Sequence, residues 1–202
     1  MVLLGHNGAG KTTLINYLVG FYTDCGQHPY LPALKDFVER KALSLGHYAF
    51  TPEAAFLEHE WSASDYFRLM ASIHRIETYD PEHYLQKVAL AVDLKKPVKF
   101  FSKGMKQRLM LALALLPDPE TIILDEPTSG LDPYGKAAIE ALILELSQSH
   151  RLILSTHSLE LAERLGDEIC ILRQGDVVYE GRVSDRYDLE ALVERYRPEV
   201  IQ

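Results

Sequence analysis

Apolar positions fall in short blocks separated by glycine and proline. Val2-Leu3-Leu4 is an apolar stub ending at Gly5, and Lys11 to Val19 then carries helical spacing that stops at Gly20. This predicts a strand that feeds a glycine loop and then a helix. From Phe21 to Ala49 the pattern weakens, with Pro29 and Pro32 as breakers and Leu34 to Leu45 as a helix. Trp61 to Val98 has helical periodicity, including Ala63 to Ile76 and His83 to Val92, with Pro81 near the start of the second stretch. The rhythm then changes to a helix from Ser102 to Leu116, a strand Thr121 to Leu124, a helix Pro133 to Ser147 and a strand Leu152 to Ser155. Strand and helix alternate, and both strands are continuous apolar runs, as in a parallel sheet covered on both faces. Ile169 to Arg173 and Val177 to Tyr179, joined around Gln174-Gly175, read as a hairpin before a last helix from Asp188 to Tyr196.

Composition narrows the class. The chain has 202 residues, 47% apolar and 25% charged, which suits one folded α/β domain and excludes disordered or fibrous architecture. The longest apolar run, Leu109 to Leu116, is shorter than the ~18 residues of a membrane helix, and no basic region leads into an apolar one at the N-terminus. The expectation is a chain that neither spans a membrane nor carries an export signal. Twenty-one basic against 29 acidic residues give a net charge of -8, a poor match for nucleic-acid phosphates. Cys25 and Cys170 are far apart and lack metal-ligand spacing, which argues against disulfides or zinc and for a reducing cytoplasm.

Two segments carry chemistry by themselves. Gly5-His6-Asn7-Gly8-Ala9-Gly10-Lys11-Thr12, followed by Thr13, matches the pattern in which small residues let backbone N–H groups wrap a phosphate at a helix N-terminus. Lys11 would bridge outer phosphates, and the Thr12 hydroxyl would ligate magnesium. Without the strand before and the helix after, the same string would be a flexible turn. Ile122-Ile123-Leu124-Asp125-Glu126 is an apolar strand ending in two carboxylates. Asp125 can hold the magnesium water shell and Glu126 can act as base toward water, although an acidic pair after a strand is commonly a solvated turn or a cap.

The longer string Leu124-Asp125-Glu126-Pro127-Thr128-Ser129-Gly130-Leu131-Asp132-Pro133 resembles the Walker B and D-loop of ATP-binding cassette (ABC) ATPases. Phe101-Ser102-Lys103-Gly104-Met105-Lys106-Gln107-Arg108 is similar to the family's signature motif, with Ser102 and Gly104 in matching places and Lys103 and Met105 departing from the commonest form. Physically, Ser102 caps a helix whose N-terminus is a second anion site. His157, after the strand Leu152 to Ser155, resembles the switch histidine that contacts the terminal phosphate. Glu53, within Tyr48-Ala49-Phe50-Thr51-Pro52-Glu53, falls where the family has its Q-loop glutamine; a carboxylate there can ligate magnesium but adds negative charge.

The resemblance implies a P-loop NTPase core, 1–55 and 102–202, with an inserted helical subdomain, 56–101, in one domain over 1–202. The family's leading antiparallel strands, with the aromatic that stacks on adenine, have no counterpart ahead of Gly5. It further implies an ATP- and magnesium-binding ATPase that powers a transporter of the exporter type. Its partners would be a separate transmembrane permease chain and a head-to-tail second copy, at the cytoplasmic face of the membrane. In that dimer Ser102 and Gly104 of one copy face the phosphate loop of the other, and Asp132 is among the nucleotide-binding residues. Two alternatives stay open: a soluble ABC ATPase of DNA repair or translation, and a nucleotide-binding regulatory module that does not hydrolyse.

Overall fold

A loop turned by glycines, between a buried strand and a helix, starts the architecture. In the computed structural model, which describes residues 1–21, 31–42, 46–54, 56–165, 167–182 and 189–195, strand β1 (Val2–Leu4) runs into helix α1 (Lys11–Leu18). Cys25, Pro29 and the ends of the predicted last helix at Asp188 and Tyr196 lie outside the described residues. The chain divides into two compact units.

The first unit comprises Met1–Gly46, Ile123–Glu126 and Leu152–Gln202. Its strands stand in the order β3 (Thr121–Asp125, of which the last residues belong here), β4 (Arg151–Thr156), β1, β5 (Ile169–Arg173) and β6 (Asp176–Gly181). β1 pairs in parallel with β4, Val2 opposite Leu154, and with β5, Val2 opposite Ile169. Being central, β1 is buried along its length, and each such Val or Leu contributes about 1.5–3 kcal/mol. One face of β1 and β5 packs Val2, Leu4, Ile169 and Ile171 against Ala162 of helix α7 (Leu159–Leu165) and Leu189 of helix α8 (Leu189–Arg195). β6 returns antiparallel to β5 through Gln174-Gly175, both with positive φ, the geometry that a two-residue turn between twisted strands requires. Helix α2 (Leu31–Ala42) lies against α1 and β6, where Lys41 meets Glu168 and Glu180 while Arg40 meets Glu180.

The second unit comprises His47–Ile122 and Pro127–Arg151. Helix α3 (Ala63–His74) starts on a capping box: the Asp65 N–H donates to Ser62 Oγ at 3.3 Å, and the Ser62 N–H donates to Asp65 Oδ2 at 2.9 Å. Helix α4 (Pro81–Lys87) starts with Asp80 as cap and proline in its first turn, where no helical hydrogen bond is lost. Helix α5 (Lys103–Leu115) is the apolar centre, packed by α3, α4, helix α6 (Pro133–Leu146) and strand β2 (Tyr48–Thr51).

Several expectations change. The helix expected from His83 to Val92 stops at Lys87 because Ala89 turns to φ 49, and the Val88 and Ala89 carbonyls accept from Arg108 Nη1 at 3.3 and 2.6 Å instead of continuing the helix. Pro32 is no breaker. It occupies the first turn of α2, where its missing N–H has no helical partner to lose. β2 and α7 are additional elements: β2 is short and hidden in a weakly patterned stretch, and α7 rests on a single cap, Leu161 N–H to Ser158 Oγ at 3.3 Å. Among the described residues no helix is long and apolar enough to cross a membrane.

Burial has a chemical consequence in β5. Cys170 has no exposed surface, and desolvation, aided by the Glu180 charge, pushes its thiol up to about 12. Since the thiolate is the form that alkylates, the native chain treated with iodoacetamide near pH 8 should keep Cys170 unmodified, and unfolding should release it. Peptide mapping by mass checks this; native modification within about tenfold of the unfolded rate would mean that β5 opens readily.

Candidate functional site

The loop after β1 has the shape that its glycines allow. A Cβ on Gly5 would stand 2.7 Å from the Leu172 carbonyl oxygen and 2.9 Å from Ala9 Cβ, so glycine is required by close approach. Gly10, at φ 102, caps α1 in a left-handed conformation, and a Cβ there would lie 3.2 Å from Gly175 Cα. The β5–β6 turn braces this loop from behind, with the Gly175 N–H donating to the Ala9 carbonyl at 2.9 Å. His6, Asn7, Gly8 and Thr12 are exposed, Gly10 and Thr13 partly so, and Ala9 is buried. The loop therefore presents exposed backbone and a hydroxyl at the start of a helix, an arrangement suited to phosphate.

Lys11 is the exception to this exposure. Only 6% of it is accessible, and its Nζ donates to the Gly5 carbonyl at 2.8 Å and the His6 carbonyl at 3.3 Å. It also stands 3.1 Å from Glu126 Oε1, off the hydrogen-bonding direction, so this contact is chiefly Coulombic. The other carboxylate oxygen, Oε2, lies 3.1 Å from His157 Nδ1. One end of the glutamate thus answers a buried cation, and the other meets a histidine whose side chain is 60% accessible.

Glu126 itself has φ 43, a left-handed conformation that costs a residue with a Cβ about 1–2 kcal/mol. Its amide is held: the Glu126 N–H donates to Ser155 Oγ at 2.8 Å, and that hydroxyl donates to Asp125 Oδ1 at 2.6 Å. Asp125 is 1% exposed and Ser155 fully buried. Lys11, Asp125, Glu126 and His157, distant in sequence, are therefore gathered at the ends of β1, β3 and β4 within the first unit, where α/β sheets commonly place ligands. Among the described residues no group of three or more His, Cys, Asp or Glu could hold a metal ion unaided. Hard oxygen donors at Thr12 and Asp125 suit magnesium, which takes one or two protein oxygens and completes its shell with water and phosphate.

The second unit carries the remaining residues. Ser102 caps α5, its Oγ accepting from the Met105 N–H at 3.2 Å. A cavity of about 400 Å³ opens beside it, lined by Ser102, Gly104, Arg108, Ala89, Leu131 and Asp132. The Gly104 Cα faces Leu131, and a Cβ would sit 3.7 Å from its Cδ2. Asp132 caps α6, its Oδ1 accepting from the Tyr134 and Gly135 N–H groups at 3.0 Å each. Glu53 accepts from Ser129 Oγ at 2.8 Å. Ser155, Ser129 and the Arg108 carbonyl contacts add to the residues singled out from the sequence. A serine interrupting the apolar run Leu152-Ile153-Leu154 was the one signal for Ser155; nothing local marks Ser129.

Comparison with known proteins places this arrangement. Nod factor export ATP-binding protein I of Rhizobium etli is 35% identical over 196 residues, 92% of this chain and 60% of that protein. A solved structure described as the ATP binding subunit of an ABC transporter superposes with a TM-score of 0.74 and 30% identity, covering 97% of this chain and 87% of that one. The dimeric structure of a bacterial ABC transporter cassette shares the fold at a TM-score of 0.67 and 20% identity, covering 91% of this chain and 84% of that chain. The chain spans between 8% and 60% of the length of curated relatives that it matches. A family model described as ABC transporter matches residues 1–129, taking in the phosphate loop, the Ser102 helix and the Asp125-Glu126 strand end alike, and the chain accordingly belongs to the ABC transporter family as an ATP-binding component.

Proposed function

We propose that this chain binds magnesium ATP at the β1–α1 loop and hydrolyses it to drive an ABC transporter of the exporter type. The observation that carries the reading is the chain of contacts from Lys11 through Glu126 to His157, which gathers a cation, a carboxylate and an imidazole beside the phosphate loop. Gly5, His6, Asn7, Gly8, Ala9, Gly10 and Thr13 line the phosphates through their backbone, and Lys11 turns from Glu126 to the outer phosphates. Thr12 and Asp125 would hold magnesium; the family resemblance alone gives Glu53, whose Oε1 accepts from Ser129, a metal-ligand role. When bound, magnesium offsets the charge that develops on the phosphate oxygens. Glu126 takes the proton of the attacking water, the new bond forms to the terminal phosphorus, and the bond to the bridging oxygen breaks, leaving ADP. His157 holds the terminal phosphate and orients Glu126.

Ser102, Gly104 and Asp132 serve a second copy packed head to tail, as the family resemblance implies, with the N-terminus of α5 as a second anion site. The dimeric cassette of the same fold supports pairing of two copies, and the relative named for Nod factor export supports the direction of transport. A separate membrane chain docks on the helical segment 56–101, where Phe56, Ile73 and Phe100 are 84%, 61% and 60% exposed. This puts the chain at the cytoplasmic face of a membrane.

Glu126→Gln should keep ATP binding, since the amide retains the shape, and lower phosphate release by about 10²- to 10⁴-fold. Hydrolysis within about twofold of the parent, measured with the membrane partner, would remove Glu126 from the role of base.

The same Glu126→Gln chain should run as a dimer in ATP on gel filtration. Adding Ser102→Glu, which sets a carboxylate where the partner's phosphate belongs, should return it to a monomer. Dimers that persist in the double variant would refute the head-to-tail arrangement.

For the docking surface, crosslinks from the membrane chain should fall on Trp61 to Ile76, and Ile73→Asp should weaken co-purification while ATP binding is kept. Crosslinks confined to Pro133 to Ser147 would overturn that assignment.

A further inference from the structure

We propose that Ser155 is a positioning residue of the hydrolytic site, one hydroxyl that fixes both the Asp125 carboxylate and the Glu126 backbone. The proposal rests on the reading of that site as a magnesium ATP centre. β4 is otherwise apolar and buried at Leu152, Ile153 and Leu154, and Ser155 continues it with no exposed surface. A hydroxyl has one proton to give and lone pairs to receive, whereas an amide N–H gives and a carboxylate receives. The two contacts therefore fix its direction: the Glu126 N–H donates into Oγ at 2.8 Å, and the Oγ–H points at Asp125 Oδ1 at 2.6 Å.

Two consequences follow for the residues at the end of β3. The bond to Asp125 is charge-assisted and short, so it orients the carboxyl plane. The bond from Glu126 anchors a peptide in the left-handed region, φ 43, where a residue with a Cβ would otherwise relax. Once the amide is anchored, the glutamate side chain is placed at a distance of 3.1 Å from both Lys11 Nζ and His157 Nδ1. Ser155 thereby couples the metal-side carboxylate to the water-side carboxylate without touching either metal or water.

Ser155→Ala removes the hydroxyl, and Ser155→Cys fills the same space with a group that bonds weakly. The affinity of the full chain for Mn²⁺ in a non-hydrolysable ATP analogue, read by electron paramagnetic resonance, reports on Asp125; phosphate release with ATP reports on Glu126. Each variant should lose about tenfold in both, while nucleotide affinity without metal stays within about twofold of the parent. If Ser155→Ala does not fold, Ser155→Cys carries the test alone. Mn²⁺ affinity and turnover within about threefold of the parent in Ser155→Cys would overturn the proposal, because packing alone would then explain the serine. An equal loss of metal-free nucleotide affinity would also overturn it, as a general disturbance of the fold. If the parent binds Mn²⁺ but releases no phosphate, the hydrolysis reading fails while the metal arm still decides Ser155.

Discussion

A lysine ammonium held out of water governs the first unit. With 6% of Lys11 accessible, its charge must be answered by protein groups, and leaving such a charge unpaired costs about 3–5 kcal/mol. Two of the answers are carbonyls of its own loop, at Gly5 and His6, so the loop has to curl back over the side chain that follows it. That curl needs Gly5 where the backbone of Leu172 comes close, and it needs Gly10 in the left-handed region where α1 begins. The third answer is Glu126, which must come from another strand. The arrangement of β1, β3 and β4 can be understood as the framework that delivers one carboxylate to one ammonium.

The cost of that delivery is local. Glu126 sits in the left-handed region, and the strain persists because its amide shares the Ser155 hydroxyl with the neighbouring Asp125, while its two carboxylate oxygens meet Lys11 and His157. Strain at a residue that must both hold a charge and give it up is compatible with catalysis. Under the proposed function, a phosphate that attracts Lys11 would weaken the contact that occupies Glu126, so nucleotide binding would also release that carboxylate.

The second unit is built differently, from capped helices rather than buried charge. Ser102, Ser62, Asp80 and Asp132 each satisfy first-turn N–H groups, and Arg108 ends the α4 segment by taking two of its carbonyls. Such capping leaves α5 with an apolar body and a polar, open N-terminus beside the cavity lined by Gly104 and Leu131. The chemistry is therefore divided: the first unit carries Lys11, Glu126 and His157, and the second carries a helix end suited to an anion.

Local sequence determined the parts that depend on neighbours along the chain. The string Gly5 to Thr12 implies its loop because glycine spacing and the flanking strand and helix are all local, and the Asp125-Glu126 strand end, the Ser102 cap and the β5–β6 hairpin are legible for the same reason. The α4 boundary was not, since a distant residue, Arg108, decides where the helix gives up its carbonyls. Neither was β2, whose four residues hold no pattern of their own. Tertiary structure alone decided that Ser155 would serve two carboxylate-bearing residues from another strand and that Glu53 would accept from Ser129. It also decided that Lys11 would rest against Glu126. A side chain's composition states which bonds it can make, but which bonds it does make depends on the partners that folding brings within about 3 Å, and those lie far away in sequence.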